Sequence, residues 1–534
     1  MSAELLSPTA AAPSRARSRA ATAVLLLAVA ASAWRFYRIR NYFEFVDESG
    51  ENTTAWLISK GETLYRGVFS HHMPLAVIVS TLVASVSPTD VPADFRVTPW
   101  VGYVVLALAI AFGPCGRRRP AAGAFAGAAF LALASLLAPL VWGQLALNEV
   151  FWGLAFATFL VLLPLPLVFG EAPRPIDAIV GGAAASLSLA GSPVAVLPLM
   201  AGGVLSILAM PRALLRSRAG AFLAGGGAAA ACIVAWLWRF GDFGGFREEV
   251  LGFNRHVYAR FLGRSNTLAG TVKEAARAWL TLLLHAILDA IAGNVEALLV
   301  PPILVVTALV VFAAFRSPGV AGSLRRATTL ACLFLVVIFT LRIRGGQFRA
   351  IPLYLAILAG AAVLPWAGNF RRPRLVASLL VVAFIPVLST AARHESFTFH
   401  EDTRLAAEGA WWHVARYIEE HTGPEERIAS YPIMPIVYLE SHRRPATDSV
   451  FYLPWQAAWE AENPGRPSTC AQLRAHPPRY VALQAGKIWG YFPWDDYAAC
   501  IDRFLKDEYE TVGVPELGGL LLQRKSVPRR ASAE

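Results

Sequence analysis

The sequence predicts a polytopic α-helical membrane protein that carries a small α/β domain near its C-terminal end. Of its 534 residues, 56% are hydrophobic and 16% are charged, and the mean hydropathy is +0.48. Soluble domains average ~25% charged residues. Apolar runs of about 17–25 residues, long enough to span a bilayer, recur between positions 20 and 391 and then stop. The region that follows mixes short helical and strand patterns, which are typical of a small α/β domain.

Eleven apolar segments are predicted to span the membrane. With the N-terminus inside, the arginine-bearing linkers after the second, fourth, sixth, eighth and tenth segments all lie on the cytoplasmic side. The positive-inside rule predicts this distribution, and an odd number of spans places the C-terminal region outside. The segments are 20–36, 95–114, 121–142, 150–169, 176–191, 193–210, 219–238, 293–315, 326–341, 350–366 and 374–391.

Three other apolar features are interpreted with this topology. The first segment is expected to be an uncleaved span rather than a signal peptide, because Trp34 and several arginines follow it without a small-residue cleavage site. The run 75–87 is short and carries hydroxyl residues, so it is predicted to be a juxtamembrane or re-entrant helix. The run 279–291 contains His285 and Asp289 and is predicted to lie at the membrane interface.

This layout divides the chain into four regions. They are a cytoplasmic tail (1–19), a transmembrane module (20–392) with outer loops 37–94 and 239–292, an extracytoplasmic α/β domain (393–525) and a disordered tail (526–534). In the α/β domain, helices are predicted over 405–421 and 494–506, and strands over 427–431, 436–439, 480–484 and 519–523. Cys470 and Cys500 share this domain, and the sequence leaves open whether they form a disulfide.

Several kinds of function receive no support from the sequence. The net charge of +11 does not indicate nucleic acid, because arginines cluster in short linkers between apolar runs, which is the positive-inside pattern. Some of these arginines are expected to meet anionic lipid head groups as well. The sequence contains no P-loop, no convincing dinucleotide-binding fingerprint and no His-Glu-x-x-His zinc motif. No cysteine spacing indicates zinc, so the metal requirement stays open.

Carboxylates beside apolar helices are the strongest functional signal. Asp47 and Glu48 follow the first span, near the start of a helix predicted over 49–60, and Glu149 immediately precedes the fourth span. Acids at a membrane edge are costly and by default indicate function. A helix N-terminus favours the ionised form of Asp47, which suits a base. The alternatives are that Asp47 or Ser49 caps the helix and that Glu149 pairs with an arginine.

The loop after this helix carries a recognisable pattern, Leu64-Tyr-Arg-Gly-Val-Phe-Ser-His-His-Met-Pro-Leu75. An acidic pair, a loop helix and a His-Pro-Leu-type turn outside the first span resemble the GT-C superfamily of membrane glycosyltransferases that use lipid-linked sugars. Its members include the protein O-mannosyltransferases of glycosyltransferase family 39 and the aminoarabinose transferase of lipid A. Three motifs of this sequence differ from those of the superfamily. Met73 replaces a proline, Ala190-Gly-Ser-Pro193 lacks the lysine of Thr-Lys-x-Pro, and the segment 345–354 lacks a histidine.

The resemblance implies an inverting glycosyltransferase at the outer face of a bacterial inner membrane. Its donor would be a polyprenyl-phosphate hexose or pentose, and its acceptor an envelope glycan, lipid or protein. Asp47 would orient or deprotonate the acceptor, Glu48 would complete the acidic pair, and Glu149 would hold a sugar or a divalent cation. Phosphate or sugar contacts would come from His71, His72, Asn254, Tyr258, Arg342, Arg344, Arg349 and Tyr354.

Plainer roles exist for some of these residues, and two other functions compete with transfer. The histidines could cap or anchor the juxtamembrane helix, and the outer arginines are compatible with a charge rule that is only statistical. A transporter or flippase of lipid-linked intermediates would also place acids near helices, although such sites lie near the bilayer midplane, often between inverted repeats. The sequence shows no repeat. The third candidate is a non-catalytic envelope protein whose working part is the C-terminal domain.

Overall fold

A computed structural model describes residues 15–42, 45–87, 92–261, 298–316, 327–332, 351–367, 372–400 and 410–525, together with 273, 277, 349 and 370. Several predicted features lie outside the described residues. These are Arg342 and Arg344, the interfacial helix 279–291, most of the segment 326–341 and the C-terminal tail. The described chain is mainly helical with a small sheet near its C-terminal end, as the sequence predicts.

The part of the chain up to residue 400 is built from helices of very different lengths. They are α1 Arg15–Arg38, α2 Val46–Ser59, α3 Leu75–Val86, α4 Pro92–Phe95, α5 Val97–Phe112, α6 Pro114–Arg118, α7 Pro120–Val141, α8 Asn148–Leu162, α9 Pro164–Val168, α10 Pro175–Gly191, α11 Val196–Ala209, α12 Arg212–Phe240, α13 Phe243–Gly245, α14 Ala259–Phe261, α15 Val300–Arg316, α16 Ile351–Ala367 and α17 Pro373–His400. A 3-10 turn (Pro193–Ala195) precedes α11, and two π-helical turns (Phe246–Gly252 and Asn254–Tyr258) lie between α13 and α14.

Six helical segments of the described chain are long and apolar enough to cross a membrane. They are Arg19–Arg38, Ala93–Arg118, Pro120–Val141, Asn148–Val168, Arg212–Phe240 and Pro373–Arg393. Shorter apolar helices match four more predicted spans, and the predicted total of eleven stays a prediction. Helix α3 has 12 residues, about 18 Å at 1.5 Å per residue, which is too short to cross ~30 Å of hydrocarbon.

Glycine allows two of the apolar helices to approach each other closely. A Cβ on Gly182 of α10 would lie 2.0 Å from the carbonyl oxygen of Phe222, and one on Gly225 of α12 would lie 1.9 Å from that of Ile179. No side chain fits at either distance, so the backbones of α10 and α12 are in direct contact. Close helix packing therefore accounts for Gly225 in the glycine run at 225–227, whereas a Cβ on Gly227 would meet nothing within 4 Å.

The C-terminal region forms a small mixed sheet covered by short helices. Strand β1 is parallel to β2, and β6 is antiparallel to both β2 and β5, in the order β1-β2-β6-β5. A separate hairpin pairs β3 with β4. The elements are α18 Ala410–His421, β1 Ala429–Tyr431, α19 Ile436–Ser441, α20 Pro454–Glu462, α21 Thr469–Ala475, β2 Tyr480–Leu483, β3 Lys487–Ile488, β4 Phe492–Pro493, α22 Trp494–Tyr497, α23 Ala499–Glu508, β5 Tyr509–Thr511 and β6 Leu521–Arg524.

Three details differ from the sequence-based expectations, and a fourth settles a question that the sequence left open. The segment 436–439 is helical (α19) rather than a strand, because its apolar residues pack between α2 and α18. The helix predicted over 494–506 is divided into α22 and α23. Helix α17 continues to His400, beyond the predicted domain boundary at 393. Cys470 and Cys500 form a disulfide, which joins α21 to α23.

The first outer loop lies between the helical part of the protein and the C-terminal domain. The Thr53 hydroxyl on α2 donates a hydrogen bond to the carbonyl oxygen of Pro435 (3.1 Å), and the Phe69 amide donates to the carbonyl oxygen of Asp448 (2.7 Å). In addition, the buried carboxylate of Glu249 accepts from Arg466 of the C-terminal domain (2.6 Å). These contacts fix the loop residues that form the site described next.

Candidate active site

A polar cavity, here called the outer cavity, lies where α2, the segment 69–73 and the loop around residue 258 meet. It has two lobes, of about 300 Å³ and about 270 Å³. The larger lobe faces the C-terminal domain, and the smaller lobe faces the start of α8 and the turn after α10. The residues common to both lobes are Asp47, Glu51, His71, His72, Tyr258 and Arg349.

Helix α2 places two carboxylates in the cavity. It begins at Val46, three residues earlier than predicted, so Asp47 and Glu51 are four residues apart and share one face. The N-cap residue is Phe45, so Asp47 lies inside the first turn of the helix and does not cap it. Burial raises the pKa of Asp47, and so does Glu149, while the charges of His72 and Arg349 lower it.

Glu149 reaches the same cavity from a different element. It lies in the first turn of α8 and lines the smaller lobe together with Arg349. Its charge acts on both Asp47 and Glu51. The sequence places Asp47 and Glu149 beside two different apolar segments, and the structure brings them into one cavity. Their chemical roles stay predictions.

Glu51 and Asn148 are the central residues of the site that sequence reasoning missed. Oε1 of Glu51 contacts Nδ1 of His72 (3.1 Å) and accepts a hydrogen bond from Nδ2 of Asn148 (2.5 Å). Asn148 also donates to the carbonyl oxygen of Met73 and accepts from the amide of Ala76. The start of α8 is thereby joined to α2 and to the start of α3. The four-residue spacing from Asp47 would have revealed Glu51 if the helix start had been placed correctly.

His72 carries the positive charge that these acids require. Burial lowers its pKa, but the hydrogen bond to Glu51 and the charges of Glu51, Asp47 and Glu149 outweigh burial and raise the pKa to about 9. Burial raises the pKa of Glu51 to about 7, against the opposing effect of His72. The imidazolium is therefore the dominant form of His72 at neutral pH, within hydrogen-bonding distance of one carboxylate and close to two others.

His71 has the opposite character. Its ring is buried among Phe253, Tyr258 and Phe69, at centroid distances of 5.3, 5.1 and 6.4 Å. Burial and the neighbouring His72 lower the pKa of His71 well below its ordinary value, so it stays neutral. Two adjacent histidines therefore provide one cation and one neutral imidazole.

The predicted residues of the long outer loop also reach the cavity. Asn254 lines the smaller lobe and donates a hydrogen bond to the carbonyl oxygen of His71 (2.7 Å), so it also fixes the histidine segment. Tyr258 lines both lobes. Gly191, Ser192 and Pro193 line the smaller lobe, and Gly191 is the position at which the predicted resemblance expects a lysine. Arg349 is the one predicted arginine within the described residues, and it lines both lobes.

Two predicted site residues lie elsewhere. Glu48 is fully buried in a two-pronged ion pair with Arg96 (2.9 and 2.5 Å) and also accepts from the amide of Ala146 (2.8 Å). Since Glu48 is 100° around the helix from Asp47, it faces the protein core, and we assign it a structural role. Tyr354 is buried in the core on α16 and does not line the outer cavity, so it offers no contact to a phosphate there.

No cluster of three or more His, Cys, Asp or Glu side chains within the described residues could hold a metal ion. No protein-family model matches the chain, and no curated protein matches it.

Proposed function

We propose that this protein is an inverting membrane glycosyltransferase that moves a sugar from a polyprenyl-phosphate donor to a cell-envelope acceptor. The observation that carries the proposal is the outer cavity itself, where Asp47, Glu51 and Glu149 meet the cationic His72 and Arg349. A carboxylate base beside two cations is what sugar transfer from a phosphate requires, because a proton must leave the acceptor while negative charge develops on the leaving group.

In the proposed reaction, a hydroxyl oxygen of the acceptor attacks the anomeric carbon of the donor sugar. The bond between that carbon and the phosphate oxygen breaks, and its electron pair leaves with the polyprenyl phosphate. Asp47 takes the hydroxyl proton, and its raised pKa makes it a stronger base than an exposed aspartate. His72 and Arg349 neutralise the phosphate, and Glu149 accepts hydrogen bonds from the donor sugar.

An apolar groove beside the smaller lobe supports a lipid-linked donor. The groove has a volume of about 500 Å³ and is lined largely by apolar side chains of α10, α11 and α12. Val194 lines the cavity and Val196, two residues later, lines the groove. A donor with its phosphate near Arg349 could therefore extend its polyprenyl tail along α11. The smaller lobe, which we call the donor lobe, would hold the donor's sugar.

The disulfide supports the proposed location of the reaction. Cys470 and Cys500 are paired in the domain whose residues wall the larger lobe, and disulfides persist in oxidising compartments outside the cytoplasm. The six long apolar helices support a multi-pass membrane protein. We infer that the cavity opens on the outer face of a bacterial inner membrane.

The test is transfer in vitro from a panel of radiolabelled polyprenyl-phosphate sugars to envelope extracts, with the purified chain in detergent. Asp47→Asn should reduce transfer by about 10²- to 10⁴-fold, the range of general-base catalysis. Asp496→Asn, at an exposed aspartate of the C-terminal domain, is the matched control and should transfer normally. Normal transfer by Asp47→Asn would remove the base assignment. Movement of the labelled lipid across vesicles without sugar transfer would identify a flippase instead.

A further inference from the structure

The larger lobe of the outer cavity differs from the donor lobe because aromatic side chains form much of its lining. We call it the aromatic lobe. Most of one wall comes from the C-terminal domain, which contributes Ile433, Phe451, Leu453, Trp455 and Trp489. Rings from the rest of the chain complete it, namely Phe45, Phe69, Trp142 and Tyr258. Since Val194 lines the donor lobe and Val196, in the same segment, lines the apolar groove, we assign the donor to that side and the aromatic lobe to the acceptor.

Buried polar atoms of the aromatic lobe lack partners within the described part of the protein. They are the indole Nε1 of Trp455, the imidazole Nδ1 of His71 and Oε2 of Glu51. Trp455 is 3% exposed and Glu51 is 4% exposed. Buried polar groups in native proteins are nearly always hydrogen-bonded. Trp455, His71 and Glu51 all line this lobe, so a ligand with several hydroxyl groups would bring hydrogen-bonding partners to their side chains, whereas a lipid chain would bring none.

Trp489 gives the lobe an open aromatic face. It lies in the turn of the β3–β4 hairpin, where the Tyr491 amide donates to the carbonyl oxygen of Ile488 (3.0 Å). Trp489 and Gly490 have φ angles of +50° and +76°, so this is a turn in which asparagine or glycine is strongly preferred at both positions. A tryptophan here is strained, and residues held in such conformations cluster at ligand-binding sites.

The strained tryptophan is held over the cavity by a second ring. Its indole packs on that of Trp455, with 4.7 Å between centroids and 33° between planes, and 54% of its surface stays exposed. Trp455 in turn contacts Tyr258 and Phe261 edge to face. The hairpin thus presents a rigid aromatic surface at the edge of a cavity whose floor carries hydrogen-bonding groups.

We propose that the aromatic lobe binds a sugar unit of the acceptor, so that the acceptor is a carbohydrate chain and the C-terminal domain recognises it. This inference rests on the proposed function and specifies its acceptor. A pyranose has an apolar C–H face that packs on an indole and a rim of hydroxyl groups. With the face of the sugar on the exposed ring of Trp489, its rim would turn toward His71 and Glu51, which line the same lobe. Asp47 lines the same lobe, beside the hydroxyl that would react.

The first experiment measures binding and needs no catalysis. Short linear glucose and mannose oligosaccharides are added to the full chain in detergent, and saturation-transfer NMR on the sugars reports binding. Trp489→Ala should weaken binding by about tenfold, which is the loss of one aromatic contact. Tyr491→Ala is the matched control, because Tyr491 lies in the same hairpin, is 81% exposed and does not line the lobe. It should bind as the wild type does.

The second experiment measures transfer. In Trp489→Ala, the KM for a glycan acceptor should rise by about tenfold, while the KM for the donor stays unchanged. If the wild type binds oligosaccharides but transfers no sugar, the proposed function fails and the carbohydrate site stands.

Three results would overturn the acceptor assignment. The first is no binding of any oligosaccharide by the wild type. The second is tighter binding of peptides or of phospholipid vesicles than of sugars, with the same dependence on Trp489. The third is an equal loss in Trp489→Ala and Tyr491→Ala, since that would identify the hairpin as a membrane anchor of the kind that interfacial aromatic residues form.

Discussion

Replacing Glu51 by glutamine should remove the positive charge from His72 at neutral pH. The pKa of His72 is about 9; burial lowers it, but the hydrogen bond and charge of Glu51 and the charges of Asp47 and Glu149 raise it further. Without the hydrogen bond and charge of Glu51, the two largest effects that raise the pKa of His72 are lost, and the pKa should fall toward its ordinary 6.5. A fall to 6.5 would correspond to about 3 kcal/mol in favour of the neutral imidazole.

The change in charge sets the size and sign of the effect on transfer. At about pH 7.5 the protonated fraction of His72 would fall from about 97% to about 9%, so a step that needs the imidazolium should slow by about tenfold. At about pH 6 the variant would regain about three quarters of the charge. Because a raised pKa keeps the cation present at higher pH, the wild type should hold its rate through neutrality while Glu51→Gln loses it.

The assay is the initial rate of sugar transfer over the pH range from about 6 to 8, expressed as the ratio of Glu51→Gln to wild type. Because the charge of His72 also lowers the pKa of Asp47, the titration of Asp47 is measured separately, from the pH profile of Asp47→Glu. Glutamine keeps a carbonyl oxygen that accepts the hydrogen bond from Asn148, so the hydrogen bond that joins α2 to α8 is preserved. Glu62→Gln, in the same outer loop but not lining the cavity, is the control. A ratio that does not change with pH would refute the role of His72.

Three further predictions concern stability, each measured as the midpoint of unfolding in SDS. Replacing Glu48 by glutamine leaves a buried guanidinium without its counter-charge and should cost about 3–5 kcal/mol; an unchanged midpoint would contradict the structural role. Replacing Cys470 and Cys500 by serine opens a link between residues 30 positions apart and should cost about 3–4 kcal/mol, matched by reduction of the wild type. Gly225→Ala should destabilise the protein, whereas Gly227→Ala, where a Cβ meets nothing within 4 Å, should not; equal effects would refute the backbone contact.

Much of the helical architecture could be predicted because it depends on length and apolar composition alone. The predicted segments match described helices closely, and the run 75–87 is a short helix, as its length requires. The strand predicted over 436–439 was wrong, because a short apolar run with β-branched residues fits a strand as well as a buried helix. Its packing between α2 and α18 makes this segment helical. The contact with α2 joins residues nearly four hundred positions apart in the sequence.

The site was predicted in part for a similar reason. The sequence indicates Asp47, Glu149 and the two histidines because charged and polar groups beside apolar segments stand out. The sequence-based prediction chose Glu48 for the site and missed Glu51, because the two residues differ only in the side of the helix from which they project. A start at Val46 turns Glu51 into the cavity and Glu48 into the core. The aromatic lobe could not be predicted, because its rings come from distant segments that only the tertiary structure brings together.

Helix α2 is held on several sides at once, and this has a consequence for how the protein works. Its Glu48 is fixed to Arg96 in the core, its Thr53 to Pro435 of the C-terminal domain, and its Asp47 faces the cavity. Any shift of the C-terminal domain would therefore act on the helix that carries Asp47. Under the proposed function, docking of an acceptor on that domain is mechanically coupled to the base, and a fragment that ends before residue 410 would keep every carboxylate of the cavity and yet lose the contact with Pro435 that supports α2.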